Sequence, residues 1–230
     1  MLQLSNQTPF KAAFAKFPDA SGVDTLYVIV TATFELIPKL QLADKQLEPV
    51  LSDEYNGEPS SSSVRYASEL HLGKPGTDVI LVGHARTPRG KPATNLHVGV
   101  KLGPVEKMLQ VFGDRTWRGI EPSKAEPFVQ MPLLYERAFG GCIRAEGKIL
   151  ETDDRNPVGV GLAIAGAQAA FGDPLPNIED PRQLLQEGSL PEPAGLGCIA
   201  PAWLPRRNFA GTYDERWQRT RAPYLPDDFD

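Results

Sequence analysis

Leu26-Tyr27-Val28-Ile29-Val30-Thr31-Ala32-Thr33-Phe34-Glu35-Leu36 is the stretch that decides the fold class. It is dense in β-branched and aromatic residues, which pack well on a pleated surface and lose side-chain freedom in a helical turn. Side chains alternate across a strand. Tyr27, Ile29 and Thr31 therefore share one face, and Leu26, Val28, Val30, Ala32, Phe34 and Leu36 share the other. The second set is nearly all apolar, so that face is expected to meet the core. Pro38 ends the run. Upstream, Asp19 to Gly22 has the composition of a hairpin turn, with Phe10, Phe14 and Phe17 on the limb before it.

Downstream, the polar Asp53 to Ser63 ends in four serines and reads as a mobile surface loop. Three strand candidates follow, Val64–Leu72, Asp78–Ala85 and Asn95–Leu102. They are separated by Gly73-Lys74-Pro75-Gly76 and by Thr87-Pro88-Arg89-Gly90-Lys91-Pro92, both of turn composition. A fourth, Lys107–Phe112, runs into Gly113-Asp114-Arg115. Short strands at this spacing predict a mainly β fold: an antiparallel β-sandwich or barrel-like core with long Pro/Gly-rich loops and a few short helices. From Gly119 onward prolines recur and the alternation fades. Asp180 can cap a helix over Arg182–Glu187, with Pro181 at its first position and Gly188 closing it. Thr212-Tyr213-Asp214-Glu215 has capping-box spacing and opens a helix through Thr220 that Pro223 stops. The alanine-rich Gly161–Phe171 is a third candidate, weakened by its glycines. With no repeats and no composition break, residues 1–230 read as a single β-rich domain.

The chain has 230 residues, enough to bury a core without disulfide or metal. Its 22 prolines exceed the usual share of about 5%, in keeping with many turns between short elements. A formal net charge of −5 argues against a nucleic-acid surface, which carries a basic excess. Cys142 and Cys198 lie in glycine-rich apolar surroundings and read as reduced, semi-buried thiols. The N-terminus lacks the basic and apolar regions of a secretory signal, and no apolar run approaches the ~18 residues of a membrane span. The expected location is cytoplasmic, with no membrane partner.

Catalytic chemistry finds little support. Gly195-Leu196-Gly197-Cys198-Ile199-Ala200 matches a dinucleotide fingerprint, but Pro191 and Pro193 precede it where a strand is needed and Pro201 follows where a helix is needed. His71, His84 and His97 are evenly spaced yet read as scattered surface or structural histidines. Asp153-Asp154 and Asp227-Asp228 read as solvated loop carboxylates. No catalytic, cofactor or metal residue is assigned. Arginine and aromatic side chains cluster instead in Arg115, Trp117 and Arg118, and again in Trp203, Arg206, Arg207, Tyr213 and Trp217. These types are enriched in protein–protein hot spots and form the candidate partner-binding set. The alternative stays open that the tryptophans are core and the arginines pair with nearby acids.

Several segments carry a family resemblance. They include Lys74-Pro75-Gly76-Thr77-Asp78-Val79, Gly83-His84-Ala85 with Pro88, and Val111-Phe112-Gly113-Asp114-Arg115-Thr116-Trp117. Met131-Pro132-Leu133 and Tyr135-Glu136-Arg137-Ala138-Phe139-Gly140-Gly141 follow, then Asn156-Pro157-Val158-Gly159 and Leu175-Pro176-Asn177-Ile178-Glu179. Pro193 to Gly197, Trp203-Leu204-Pro205-Arg206-Arg207, Ala210 to Trp217 and Leu225 to Asp230 complete the series. In this order they resemble a bacterial family of unknown function associated with type VI secretion. The resemblance implies a non-enzymatic adaptor or chaperone that binds a secreted effector and helps load it onto a VgrG or PAAR spike protein. It also implies further β-sequence in the family beyond the Asp-Phe-Asp segment. The rival expectation is a β-sandwich hydrolase or carbohydrate-active enzyme using Asp153, Asp154 or Glu136. A third is a structural subunit of the secretion machine.

Overall fold

A computed structural model describes residues 2–18, 23–70, 77–119 and 121–206. They group into two compact units, one drawn from residues within 1–54 and 66–77 and the other from 55–65 and 78–207.

In the first unit, β1 (Lys11–Pro18) and β2 (Asp24–Thr31) form an antiparallel ladder running from Lys11 opposite Thr31 to Pro18 opposite Asp24. Residues 19–22, where the hairpin turn is expected, lie outside the described residues. β3 (Phe34–Glu35) pairs with β4 (Gln41–Leu42). The deciding stretch is therefore two strands with a break at Ala32-Thr33. Gln46 fills that break: its Oε1 accepts from Thr33 N at 2.8 Å, and its Nε2 donates to Thr33 O at 3.0 Å and to Ala43 O at 2.7 Å. The face expected to meet the core is the open one, with Leu26, Val28 and Val30 50%, 53% and 58% exposed. Tyr27, Ile29 and Thr31 are the half-buried set, with Phe17 against Tyr27 at 6.1 Å between ring centroids. Both faces are rich in apolar residues, and alternation alone does not choose which of two such faces is covered. No described residue of this unit is fully buried.

The next pair is β5 (Glu54–Tyr55) with β6 (Val64–Tyr66), so the strand predicted over Val64–Leu72 is shorter than expected. The serine-rich segment is anchored rather than loose. Ser63 is buried and donates through N and Oγ to the Glu136 carboxylate at 2.7 and 2.8 Å. In the second unit, β7 (His84–Arg86) keeps only the end of the predicted Asp78–Ala85 strand. β8 (Asn95–Leu102) has the expected bounds, and β9 (Val105–Phe112) starts two residues early. Then come β10 (Gln130–Pro132), β11 (Phe139–Gly140), β12 (Cys142–Ala145), β13 (Lys148–Thr152) and β14 (Val160–Gly161). One helical turn, α1 (Leu162–Ala165), and β15 (Ile178–Glu179) complete the described elements. The sheets are β15-β9-β8, β7-β10, β12-β13 and the parallel pair β11-β14. The protein is mainly β, with small, largely antiparallel sheets; among the described residues they do not close into the barrel the sequence also allowed. Repeated prolines and turns keep each ladder short.

Two predicted helices do not form as expected. Of Gly161–Phe171 only α1 is helical: it ends at Gly166, and Ala167 beyond it is left-handed at φ 55°. Ahead of Arg182–Glu187 Asp180 makes the capping bond expected of it, but Glu179 takes a later amide that a helix would use. Asp180 Oδ1 accepts from Arg182 N at 2.8 Å and Glu179 Oε2 accepts from Leu185 N at 2.6 Å. The helix expected from Thr212 lies outside the described residues. The core of the second unit gathers Trp117, Phe139, Ile143, Leu162, Ile164, Ala165, Leu175 and Leu185. Beside it, fully buried Asn156 donates from Nδ2 to the carbonyls of Tyr135 and Phe139, both at 2.8 Å. Gly140 and Gly141 adopt φ of 139° and 96° against the backbone of Asn156 and Gly159, where a Cβ has no room.

Candidate protein-binding surface

The residues singled out by type divide once the chain is folded. Trp117 is buried in the core cluster and Trp203 is buried against Tyr135, the two rings meeting edge-on at 5.3 Å and 88°. Both are packing residues in the second unit. Arg115 is also internal. It donates from Nη2 to the Glu179 carboxylate and, at 2.7 Å, to Pro176 O, with its guanidinium 3.7 Å from the Phe112 ring centroid. Arg206 is half-buried and donates to Ile199 O at 3.2 Å. Arg118 alone of the described set is exposed, lying over the ring of Phe171. Arg207, Tyr213 and Trp217 lie outside the described residues.

The carboxylates considered for catalysis are largely engaged. Asp153 is buried, not solvated as expected: its Oδ1 accepts from Arg155 N at 3.0 Å and Nε at 2.8 Å, and its Oδ2 from Arg155 Nη2 at 2.7 Å. That bidentate pairing, above all the side-chain hydrogen bond to Asp153, raises the Arg155 pKa. Glu136 is held by Ser63, and Asp154 is exposed. His84 and His97 are exposed, and His71 lies outside the described residues. Among the described residues, no three His, Cys, Asp or Glu side chains gather in a way that could hold a metal ion. Cys142 and Cys198 are not joined in a disulfide. The glycine motif serves packing, because Gly195 lies against the ring of Tyr135 with no room for a Cβ. Burial, with a smaller contribution from Cys198, pushes the Tyr135 hydroxyl up to about 12. A cleft beside it, lined by Asn56, Val64, Leu81, Leu133 and Gly197, has room for little more than a water molecule.

What stands open is apolar surface in the first unit. On the outer face of the β1–β2 ribbon, Phe14 lies opposite Val28, with Leu26 and Val30 on either side. The exposed apolar series continues through Phe34, Leu36, Ile37 and Leu40. Charges near the ribbon are matched within the chain, Lys11 to Glu48 at 2.6 Å and Lys16 to Asp24 at 2.5 Å. Such an arrangement can bury against another polypeptide but offers no group for bond-making. Composition pointed to tryptophan and arginine and missed this face, although its alternation was legible; only its covering side was misjudged.

A sequence model of a bacterial family, described as an uncharacterized protein conserved in bacteria (DUF2169), matches residues 21–230. No curated protein matches the chain, and no solved structure does.

Proposed function

The chain belongs to the bacterial family DUF2169, and from that premise we propose that it is a non-enzymatic adaptor, or chaperone, that binds a type VI secretion effector and aids its loading onto the VgrG or PAAR spike. The observation that carries this reading is the first unit, which displays an apolar strand face and has no fully buried described residue. A two-stranded ribbon is marginal in water on its own. The exposed fractions of Phe14, Leu26, Val28 and Val30 together amount to about two whole side chains. Covering them is worth about 3–6 kcal/mol to a partner, before the cost of association is subtracted. The client supplies the apolar layer that the ribbon lacks.

The type VI assignment rests on the sequence resemblance. The protein-binding assignment rests on the ribbon. The hydrolase alternative gains nothing from Asp153 and Glu136, whose oxygens are occupied by Arg155 and Ser63. Co-expression with the proteins encoded beside it, then affinity capture and size-exclusion chromatography, tests the reading. A defined complex with a toxin or spike protein is expected, and Val28→Asp should dissolve it. Separate elution of every neighbour at concentrations well above micromolar would overturn the adaptor reading.

A further inference from the structure

At one corner of the second unit the backbone around Trp117 clamps the turn that follows α1. Trp117 N donates to Asp173 O and Trp117 O accepts from Gly172 N, each at 2.8 Å. Within the turn, Gln168 N donates to Ala163 O and Ala170 N donates to the Asp173 carboxylate, both at 2.7 Å. Ala167 takes a left-handed φ of 55° although it carries a Cβ. Strained backbone of this kind persists only where its surroundings over-determine it. The turn tucks Ala169 against the core, yet two residues on it holds Phe171 76% exposed. Arg118 lies over that ring, 5.9 Å from its centroid. Arg118 is itself exposed, and among the described residues it meets no carboxylate.

Single exposed apolar side chains are ordinary. Phe171 differs in being displayed by a strained, tightly bonded turn under a cation that no acid within the described chain neutralises. We infer that Phe171 and Arg118 form a docking knob for a folded partner protein, Phe171 entering an apolar pocket and Arg118 pairing with an Asp or Glu at the pocket's rim. Aromatic and arginine side chains dominate binding hot spots. A rigid turn also presents them with little left to order on binding. The unmatched guanidinium sets the chemistry of the rim: its complement is a carboxylate, and a basic or purely apolar pocket would leave it desolvated and unpaired.

This inference rests on the protein-binding reading but uses a different element from the ribbon. The probe is the purified neighbour-encoded protein that co-elutes with the wild-type chain. Phe171→Ser is expected to weaken binding roughly tenfold or more, mainly through faster dissociation, with a melting temperature unchanged because the ring is outside the core. Arg118→Glu should slow association and reduce its salt dependence. A photo-reactive phenylalanine analogue at position 171 should cross-link to an apolar pocket of the partner with an acidic residue beside it. Leu190→Ser, at another exposed leucine, is the control and should leave affinity unchanged. If the complex forms and Phe171→Ser binds within twofold of wild type, the knob is refuted while the adaptor reading stands. If the wild-type chain captures no neighbour, both fall.

Discussion

Glu179→Ala is the substitution on which the internal role of Arg115 depends. The Glu179 side chain is 2% exposed and that of Arg115 is 11% exposed. One carboxylate oxygen meets the guanidinium and the other accepts Leu185 N at 2.6 Å. Truncation would strand a buried cation and remove the acceptor from a buried amide. Breaking a buried pair in this way costs about 3–5 kcal/mol. Arg115→Met strands the opposite charge and should cost a similar amount, including the loss of the cation over Phe112. The double variant Arg115→Met/Glu179→Ala should recover the part of that loss owed to the stranded charges, because it buries no uncompensated charge and leaves only the Leu185 amide without its acceptor. It also removes Arg115 Nε, which is buried without a hydrogen-bond partner. Urea unfolding followed by tryptophan fluorescence reads all four chains, and the cycle should return a coupling of at least about 2 kcal/mol. A Glu179→Ala chain within about 1 kcal/mol of wild type, or singles that simply add, would refute the placement of Arg115 as an internal brace and return it to the surface set.

Trp117→Ala should cost about 3–5 kcal/mol, as a large aromatic lost from a packed core does; a binding defect with unchanged unfolding would instead make it a contact residue. The folded chain keeps the Tyr135 proton up to about pH 12, whereas an unfolded tyrosine releases it near pH 10. Stability is therefore fully present below pH 10 and declines by about 2–3 kcal/mol as pH rises toward 12. Tyr135→Phe should flatten that decline when unfolding free energy is measured from pH 9 to 12, and an unchanged slope would count against the buried placement.

The legible part of the fold was local. β8 appeared with its expected bounds because Asn95–Leu102 alternates cleanly between turn segments, and β1 and β2 flank the expected turn. The illegible part was competition between side chains and backbone. Asp180 has the right chemistry to cap a helix, but Glu179 takes the amide of Leu185 that a helix over Arg182–Glu187 would need. Glu179 does so because it also faces Arg115, which is 64 residues away. Asp153 read as a solvated loop residue for a similar reason: the signal for its burial is Arg155 two positions on, which is indistinguishable in sequence from a surface pair. Phe171 carried no signal at all. It closes the alanine-rich run read as a helix candidate, and the left-handed Ala167 and the bonds to Trp117 shape the turn that holds it outward.

By itself the sequence determined the β class and the bounds of its cleanest strand, since these follow from alternation, proline, glycine and branched side chains acting over a few residues. It also carried a family pattern from residue 21 onward. Tertiary structure decided which face of the ribbon is covered, which tryptophans are core, which carboxylates are occupied and where an aromatic side chain meets solvent. Burial is a property of what packs against a residue, and those neighbours come from distant parts of the chain; alternation defines two faces of a strand, but only the packed chain chooses between them.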